Sequence, residues 1–176
     1  MRKLFISATV AVALLLSACS SLTPPDGVTV VQNFNTQRYL GKWYEIARFD
    51  HYFESGLEKV TATYSLRNDG GLTVINRGYN SQRDMWQQST GVAYFTGSPK
   101  TAALEVSFFG PFYGGYNIIA LDDEYRYALV CGPDRDYLWL LSRTSTLPAE
   151  VKQQMLDIAR RQGFAVEKLQ WINQSY

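Results

Sequence analysis

Eight short segments with the residue pattern of β-strands follow one another between residues 43 and 143. The pattern is clearest in 57–67, where Val60, Ala62 and Tyr64 alternate with threonine and serine, so that apolar side chains share one face. The following Asn68-Asp69-Gly70-Gly71 favours a tight hairpin, because these residues tolerate positive φ. This spacing predicts an all-β antiparallel fold, either an up-and-down barrel or a sandwich. The segments are 43–49, 57–67, 72–79, 86–96, 102–109, 116–121, 125–131 and 137–143.

A single helix is predicted after the last of these strands, at residues 148–162. Val151, Met155, Ile158 and Ala159 recur at helical spacing and form an apolar stripe, which we expect to pack against the wall of the sheet. Pro148 suits the first turn, and a glycine at position 163 can end the helix. A final short strand is predicted at 166–172.

Two segments, 118–121 and 137–141, are apolar on both faces. In an eight-stranded barrel the inner face would line a pocket for side chains or one small ligand, and the outer face would lie under the helix. A sandwich core explains the same residues, so this pattern fits both architectures.

The N-terminus has the pattern of a cleaved export signal. Arg2 and Lys3 precede an apolar run, 4–16, which is shorter than the roughly 20 residues that a membrane-spanning helix needs. The run ends in Leu16-Ser17-Ala18-Cys19, which resembles the bacterial lipobox. This resemblance implies cleavage of 1–18, a diacylglycerol on the sulfur of Cys19 and an acyl chain such as palmitate on its amine. The alternative is an ordinary signal peptide with a chance cysteine nearby.

The residue after Cys19 is Ser20 and not aspartate, which by resemblance to Gram-negative lipoproteins implies the outer membrane. The chain would be lipid-anchored there on the periplasmic face. Residues 19–32 are polar, include Pro24-Pro25-Asp26-Gly27, and are predicted to be a tether between the lipid and the domain.

The charge balance excludes nucleic acid as a partner. Removal of the first 18 of 176 residues would leave 158, enough for one domain, with 15 basic and 16 acidic side chains. Nucleic-acid binding needs a strongly basic face. With Cys19 acylated, Cys131 has no intrachain cysteine to pair with, and we expect it to be a small buried strand residue.

Three motifs in order resemble the lipocalin family, in particular its bacterial outer-membrane lipoproteins. Gly41-Lys42-Trp43 resembles the Gly-x-Trp motif at the start of the first strand. Asp123 and Tyr127-Ala128 match parts of the second motif, with Asp122 and Glu124 as departures, and Arg143 fits the third. The resemblance covers 33–172. It implies a lipocalin domain, 33–176, with an eight-stranded antiparallel up-and-down β-barrel and one C-terminal α-helix packed on its wall.

The resemblance also divides the residues between fold closure and ligand contact. Gly41, Trp43, Asp123 and Arg143 are expected to close one end of the barrel, with the Arg143 guanidinium stacked over Trp43. The parity of the strands, carried over from the family, sets which side chains face inward, and a shift of one residue would invert any pair. The residues expected to contact a ligand are Ala62, Tyr64, Val74, Asn76, Val106, Phe108, Tyr113, Asn117, Ile119, Trp139 and Leu141.

The function implied by the resemblance is the storage or transport of fatty acids or lysophospholipids for envelope maintenance, without catalysis, cofactor or metal. One alternative is a structural or interaction lipoprotein with an incidental pocket, in which the aromatic stretch 108–116 forms a homodimer contact or a lip facing the membrane. The other is a lipid-modifying enzyme. Its case is weak, because His51 is the single histidine and Cys131 has no evident base partner.

Overall fold

Each of the eight segments predicted as strands forms one, and antiparallel pairing joins them in chain order. The computed structural model describes residues 22–175, so the predicted signal, Cys19 and the first residues of the tether lie outside the described residues. Within this range β1 pairs with both β2 and β8, which closes the sheet into a barrel and not a sandwich. The strands are β1 (Gly41–Arg48), β2 (Leu57–Leu66), β3 (Leu72–Asn80), β4 (Met85–Phe95), β5 (Ala103–Phe109), β6 (Phe112–Leu121), β7 (Tyr127–Cys131) and β8 (Leu138–Ser142).

The segments that are apolar on both faces pack against two separate cores. In β8, Trp139 and Leu141 point into the barrel, whereas Leu138 and Leu140 point outward. The outward pair lies under the predicted helix, α2 (Ala149–Arg161), as part of a cluster with the buried Met155 and Ala159. The double-sided apolar pattern is therefore a strand with the cavity on one side and the helix on the other.

The helix ends as its sequence predicts. Gly163 follows the last turn with a φ of +87°, the left-handed conformation that glycine adopts without strain. The amide of Phe164 then donates to the carbonyl of Ala159 at 3.1 Å, which satisfies one of the last carbonyls of the helix.

The C-terminal segment differs from the predicted strand 166–172. A 3-10 turn, Val166–Lys168, precedes a strand of only two residues, β9 (Gln170–Trp171), which pairs with the second half of β1. β1 and β2 separate there, and the side-chain amide of Gln174 bridges them by donating to the carbonyls of Glu45 and Val60 at 2.8 and 2.9 Å. The backbone groups that lose a strand partner in this separation bind the C-terminal segment instead. Strand periodicity does not encode such a long-range contact.

Part of the predicted tether is folded onto the barrel. The amide of Val31 donates to the carbonyl of Ile118, and the carbonyl of Val31 accepts from Ala102. Val28 and Val30 pack on the outer core, and Gln32 forms a β-bridge with Thr101. The segment 28–32 therefore belongs to the domain and not to the predicted tether.

The end of the barrel where β1 begins is closed by Trp43, which is fully buried. Its indole N–H donates to the carbonyl of Tyr39 in the short helix α1 (Thr36–Tyr39) at 2.9 Å. The guanidinium carbon of Arg143 lies 3.9 Å from the Trp43 ring centroid, which is a cation–π contact. Gly41 has a φ of +91° beside this guanidinium, where a side chain would be strained.

Arg143 also connects the segments that meet at this closed end. It donates to the backbone carbonyls of Tyr125, Lys42 and Arg38 at 3.1, 2.9 and 2.8 Å. Asp123 contributes its backbone carbonyl, which accepts from Arg38 at 2.7 Å. The carboxylate that shapes this turn is that of Asp122, which accepts from the amides of Arg126 and Tyr127. Asp122, which departs from the family motif, is therefore the aspartate whose side chain stabilises this turn.

Candidate functional site

The barrel encloses a cavity of about 340 Å³ that opens at the end opposite Trp43. A volume of this size is within the usual range for small-molecule sites, and most of the lining is apolar. The residues predicted to contact a ligand that lie on this cavity are Ala62, Tyr64, Val74, Asn76, Val106, Phe108, Trp139 and Leu141.

Three of the predicted contacts do not line the cavity. Tyr116 lines it from β6 and Ile118 lies in the inner core, so Asn117 and Ile119 beside them face the other way. Ile119 accordingly belongs to the outer core under the helix, and Asn117 is buried with its amide donating to the carbonyl of Gly132. Tyr113 shares their parity. The inward orientation expected for Asn117 and Ile119 is wrong by one residue of register, and Tyr113 does not reach the cavity.

Three tyrosines form a hydrogen-bonded chain at the floor of the cavity. The hydroxyl of Tyr116 lies 2.7 Å from that of Tyr39 and 2.6 Å from that of Tyr64. Burial raises the pKa of Tyr64 to about 12 and the pKa values of Tyr39 and Tyr116 well above their ordinary value, so the three phenols are neutral. Because the hydroxyls pair with one another, the floor does not need a polar group of the ligand.

A buried ionic cluster supports the wall near the mouth. Arg48 in β1 is 1% exposed, and its guanidinium lies 2.8 Å from the carboxylate of Glu45 and 3.1 Å from that of Asp50. It also donates to the carbonyl of Glu54 at 2.7 Å, which fixes the connection between β1 and β2. Burial lowers the pKa of Arg48 but the Glu45 charge raises it above its ordinary value, so the guanidinium stays charged.

The carboxyl groups of Glu45 and Glu54 in this cluster also line the cavity. Burial, reinforced by the nearby Glu45 charge, raises the pKa of Glu54 to about 8, so Glu54 is largely protonated at neutral pH. Its carboxyl accepts the indole N–H of Trp139 at 3.1 Å. Burial also raises the pKa of Glu45, against the opposing effect of Arg48. The mouth therefore presents a neutral acid that can donate a hydrogen bond to a ligand oxygen.

The sequence pattern missed several side chains that line the cavity. Glu45 alternates with Trp43 in β1, and this parity alone would have placed it inward. Glu54 lies in a connection, where periodicity gives no signal. Tyr116 was missed because β6 was read in the opposite register. The side chains that line the cavity without having been predicted include Glu45, Phe53, Glu54, Tyr116, Val130 and Tyr137.

The remaining candidates for chemistry are structural in the described part of the chain. The Cys131 thiol is buried in the outer core, and burial raises its pKa to about 12. His51 stacks on Tyr137 with ring centroids 4.0 Å apart. No group of three or more His, Cys, Asp or Glu side chains in residues 22–175 is arranged as a metal site.

No helix in 22–175 is both long and apolar enough to cross a membrane.

Comparison with known proteins agrees with this architecture. Residues 34–174 match the family model described as a lipocalin-like domain. The chain is 71% identical over 174 residues to the outer membrane lipoprotein Blc of Escherichia coli (strain K12), covering 99% of this chain and 98% of the relative. Mouse apolipoprotein D is 34% identical over 169 residues, covering 91% and 84% of the two chains. The bacterial relatives carry the location in their names, and this chain is likewise an outer-membrane lipoprotein.

Solved structures show the same fold at low sequence identity. Insecticyanin from the tobacco hornworm Manduca sexta superposes with a TM-score of 0.69 at 20% identity, covering 87% of each chain. The cockroach allergen Per a 4 gives the same TM-score at 18% identity, covering 87% of this chain and 96% of its own. The closed eight-stranded barrel, its Trp43–Arg143 closure and the match over 34–174 together show that the chain belongs to the lipocalin family, whose members are binding proteins.

Proposed function

We propose that the chain binds single-chain lipids, namely fatty acids or lysophospholipids, and stores or carries them at the periplasmic face of the outer membrane without catalysis. The observation that carries the proposal is the cavity itself. It is about 340 Å³, mostly apolar, closed by Trp43 at one end and open at the other. An acyl chain buried there gains about 0.8 kcal/mol for each CH₂ before the costs of association.

The two ends of the cavity suggest the orientation of the ligand. The tyrosine hydroxyls at the floor are paired with one another, which suits the end of an acyl tail. At the mouth, neutral Glu54 can donate to an ester oxygen. A fatty-acid carboxylate placed there would bring its charge close to Glu45 and Asp50, whereas a lysophospholipid presents its uncharged ester and carries its anionic phosphate farther out, so the mouth favours the lysophospholipid of the two classes.

Tryptophan fluorescence tests the proposal directly. Titration with a lysophospholipid or a long-chain fatty acid is expected to give a saturable change in emission, dominated by Trp139 in the cavity wall. Trp139→Phe should remove most of that change, whereas Trp171→Phe, on the outer surface, should leave it intact. If wild type and both variants show no saturable change, and native mass spectra show no bound lipid, the binding function is refuted.

The anchor has a separate test. Cys19→Ala is expected to abolish retention in the membrane fraction, because the proposed lipid acceptor is the Cys19 thiol, while leaving ligand affinity unchanged. Fractionation of the variant with membranes as in wild type would contradict lipid anchoring at this residue. Loss of affinity would contradict the independence of anchor and cavity.

A further inference from the structure

Exposed apolar side chains concentrate at the open end of the barrel. The open rim comprises the connections β1–β2, β3–β4, β5–β6 and β7–β8 with the strand ends beside them. Of the ten large hydrophobic side chains exposed in the described residues, seven lie on this rim. Tyr52, Phe109 and Phe112 are the most exposed, at 94%, 79% and 72%. A soluble surface normally scatters such residues, and a continuous group of them marks a contact surface.

The N-terminal segment enters the domain at this same rim. Arg135, in the β7–β8 connection, donates to the carbonyl of Asp26 at 2.8 Å and to that of Gln162 at 2.8 Å. From there the chain runs along the wall to the closed end. There the amide of Phe34 donates to the carbonyl of Lys100. The described N-terminal segment is therefore held at the open end at Asp26.

We propose that the open rim docks on the phospholipid surface that holds the lipid anchor, so that the mouth of the cavity faces the bilayer. The inference rests on the proposed acylation of Cys19. The seven residue-to-residue steps from Cys19 to Asp26 span at most about 25 Å. Strands of about ten residues, tilted by about 40°, give a barrel roughly 25 Å tall. The closed end would face the bilayer only with this tether stretched along the full wall, whereas the rim faces it without any stretching.

The chemistry of the rim fits the interfacial layer of a membrane. Trp86 lies on the rim with the Arg77 guanidinium carbon 3.8 Å from its ring centroid, a pairing of apolar and charged groups that suits the headgroup region. Acidic and basic residues alternate there, as in Arg83-Asp84 and Asp134-Arg135-Asp136. The four connections together hold five acidic residues and two basic ones, so the rim has no excess of positive charge, and docking is expected on zwitterionic lipid without a requirement for anionic lipid. Lipid would then pass between bilayer and cavity without crossing water.

Site-specific labelling tests the docked orientation. The lipidated full-length protein, carrying Phe109→Cys with an environment-sensitive fluorophore, is reconstituted in phosphatidylcholine vesicles, and Gln37→Cys at the exposed closed end is the matched control. Cys131 is buried and does not compete for label. Position 109 is expected to shift to the blue and be quenched by brominated lipid, and position 37 to do neither. Equal behaviour at the two positions would overturn the proposal. So would a shift at 109 that rises with protein concentration in lipid-free detergent solution, since it would assign the rim to a second copy of the chain.

A transfer assay tests the consequence. The Phe109→Ser/Phe112→Ser double variant should take lysophospholipid from vesicles at least about fivefold more slowly, while binding the same lipid as a dissolved monomer with unchanged affinity. Leu66→Ser, a 48% exposed site near the closed end, should change neither value. An unchanged transfer rate in the double variant would contradict rim docking. Absence of monomer binding in wild type would refute the proposed function, and the labelling result would still decide the docking.

Discussion

The two ends of the barrel use aromatic and charged residues in opposite ways. At the closed end, Trp43 is fully buried, and each of the three guanidinium nitrogens of Arg143 donates to a backbone carbonyl. At the open end, Tyr52, Phe109 and Phe112 face solvent. The carboxyl of Glu54 is held there in its neutral form. The closed end buries its aromatic and charged groups against one another, and the open end leaves aromatic side chains exposed and a neutral acid on the cavity.

This difference predicts that residues at the closed end serve the stability of the fold and that residues at the open end serve its function. A residue that contributes chiefly to folding should lower the free energy of unfolding when it is changed, with ligand affinity altered only through loss of folded protein. A residue at the open end should do the reverse. Substitutions at matched positions of the two ends therefore test whether the division is real.

The largest effect is expected for Trp43→Ala. The indole fills the closed end and holds both the cation–π contact with Arg143 and a hydrogen bond to Tyr39, so its removal leaves a cavity and an unpaired guanidinium face. The expected loss is about 3–5 kcal/mol in the free energy of unfolding, measured by urea denaturation. Phe112→Ala at the open rim should change it by less than about 0.5 kcal/mol. Similar losses for the two variants would break the comparison.

The next effect concerns Glu54 and pH. Its pKa is raised from 4.5 to about 8 in the folded chain, mainly by burial. Between these values the folded state holds a proton that the unfolded state has released. This contribution to stability is complete below about pH 4.5 and is lost as the pH rises to about 8, with a slope of at most about 1.4 kcal/mol per pH unit.

Glu54→Gln should remove this pH-dependent loss, because an amide cannot ionise and its oxygen can still accept from Trp139. The measurement is the free energy of unfolding from pH 5 to pH 8.5. Glu124→Gln, at an exposed position of the closed end, serves as the control and should follow the wild type. A slope in Glu54→Gln equal to that of the wild type would mean that Glu54 is ionised in the folded chain.

A smaller effect is expected for Arg143→Ala. The variant loses the stacking on Trp43 and three donated hydrogen bonds, which together should lower the free energy of unfolding by about 2 kcal/mol. The control is Arg126→Ala, whose side chain is mostly exposed beside Asp122 and should cost at most about 1 kcal/mol. Lysophospholipid affinity, measured on the folded fraction, should be unchanged in both variants. A specific loss of affinity in Arg143→Ala would connect the closed end to binding.

The sequence predicted the fold well because the barrel is encoded locally. Alternation and turn residues placed all eight strands within a few residues of their observed ends, and the apolar stripe placed α2. The strand predicted at 166–172 was mostly wrong, because β9 forms only where β1 has lost its neighbour β2. The pairing of Val31 with Ile118 and Ala102 is likewise a tertiary contact, which the sequence of a polar, proline-containing segment does not predict.

Only some of the residues that line the cavity were predicted correctly, because tertiary contacts and not local patterns place the others. Ala62, Tyr64 and Leu141 lie in strands with regular parity and line the cavity as expected. Asn117 and Ile119 were predicted on the wrong face, because the parity expected from the family is one residue out of register with β6, in which Tyr116 and Ile118 face inward. Glu54 lies outside any strand, so only its three-dimensional position beside Arg48 identifies it.

The smallest expected effect tests whether the cavity floor contributes to stability, as the closed end does, or to ligand binding, as the open end does. In Tyr116→Phe the hydroxyls of Tyr39 and Tyr64 lose their shared partner. Tyr39 is buried away from the cavity, so its unpaired hydroxyl should lower the free energy of unfolding by about 1 kcal/mol. If the acyl tail lies against the floor, lysophospholipid affinity should change less than about twofold, because a phenyl ring contacts a methyl group as well as a phenol does. Phe53→Ala at the mouth is the contrasting variant, in which affinity should fall while stability holds. A large loss of affinity in Tyr116→Phe would instead place the head group at the tyrosines, and the floor would then belong with the binding end.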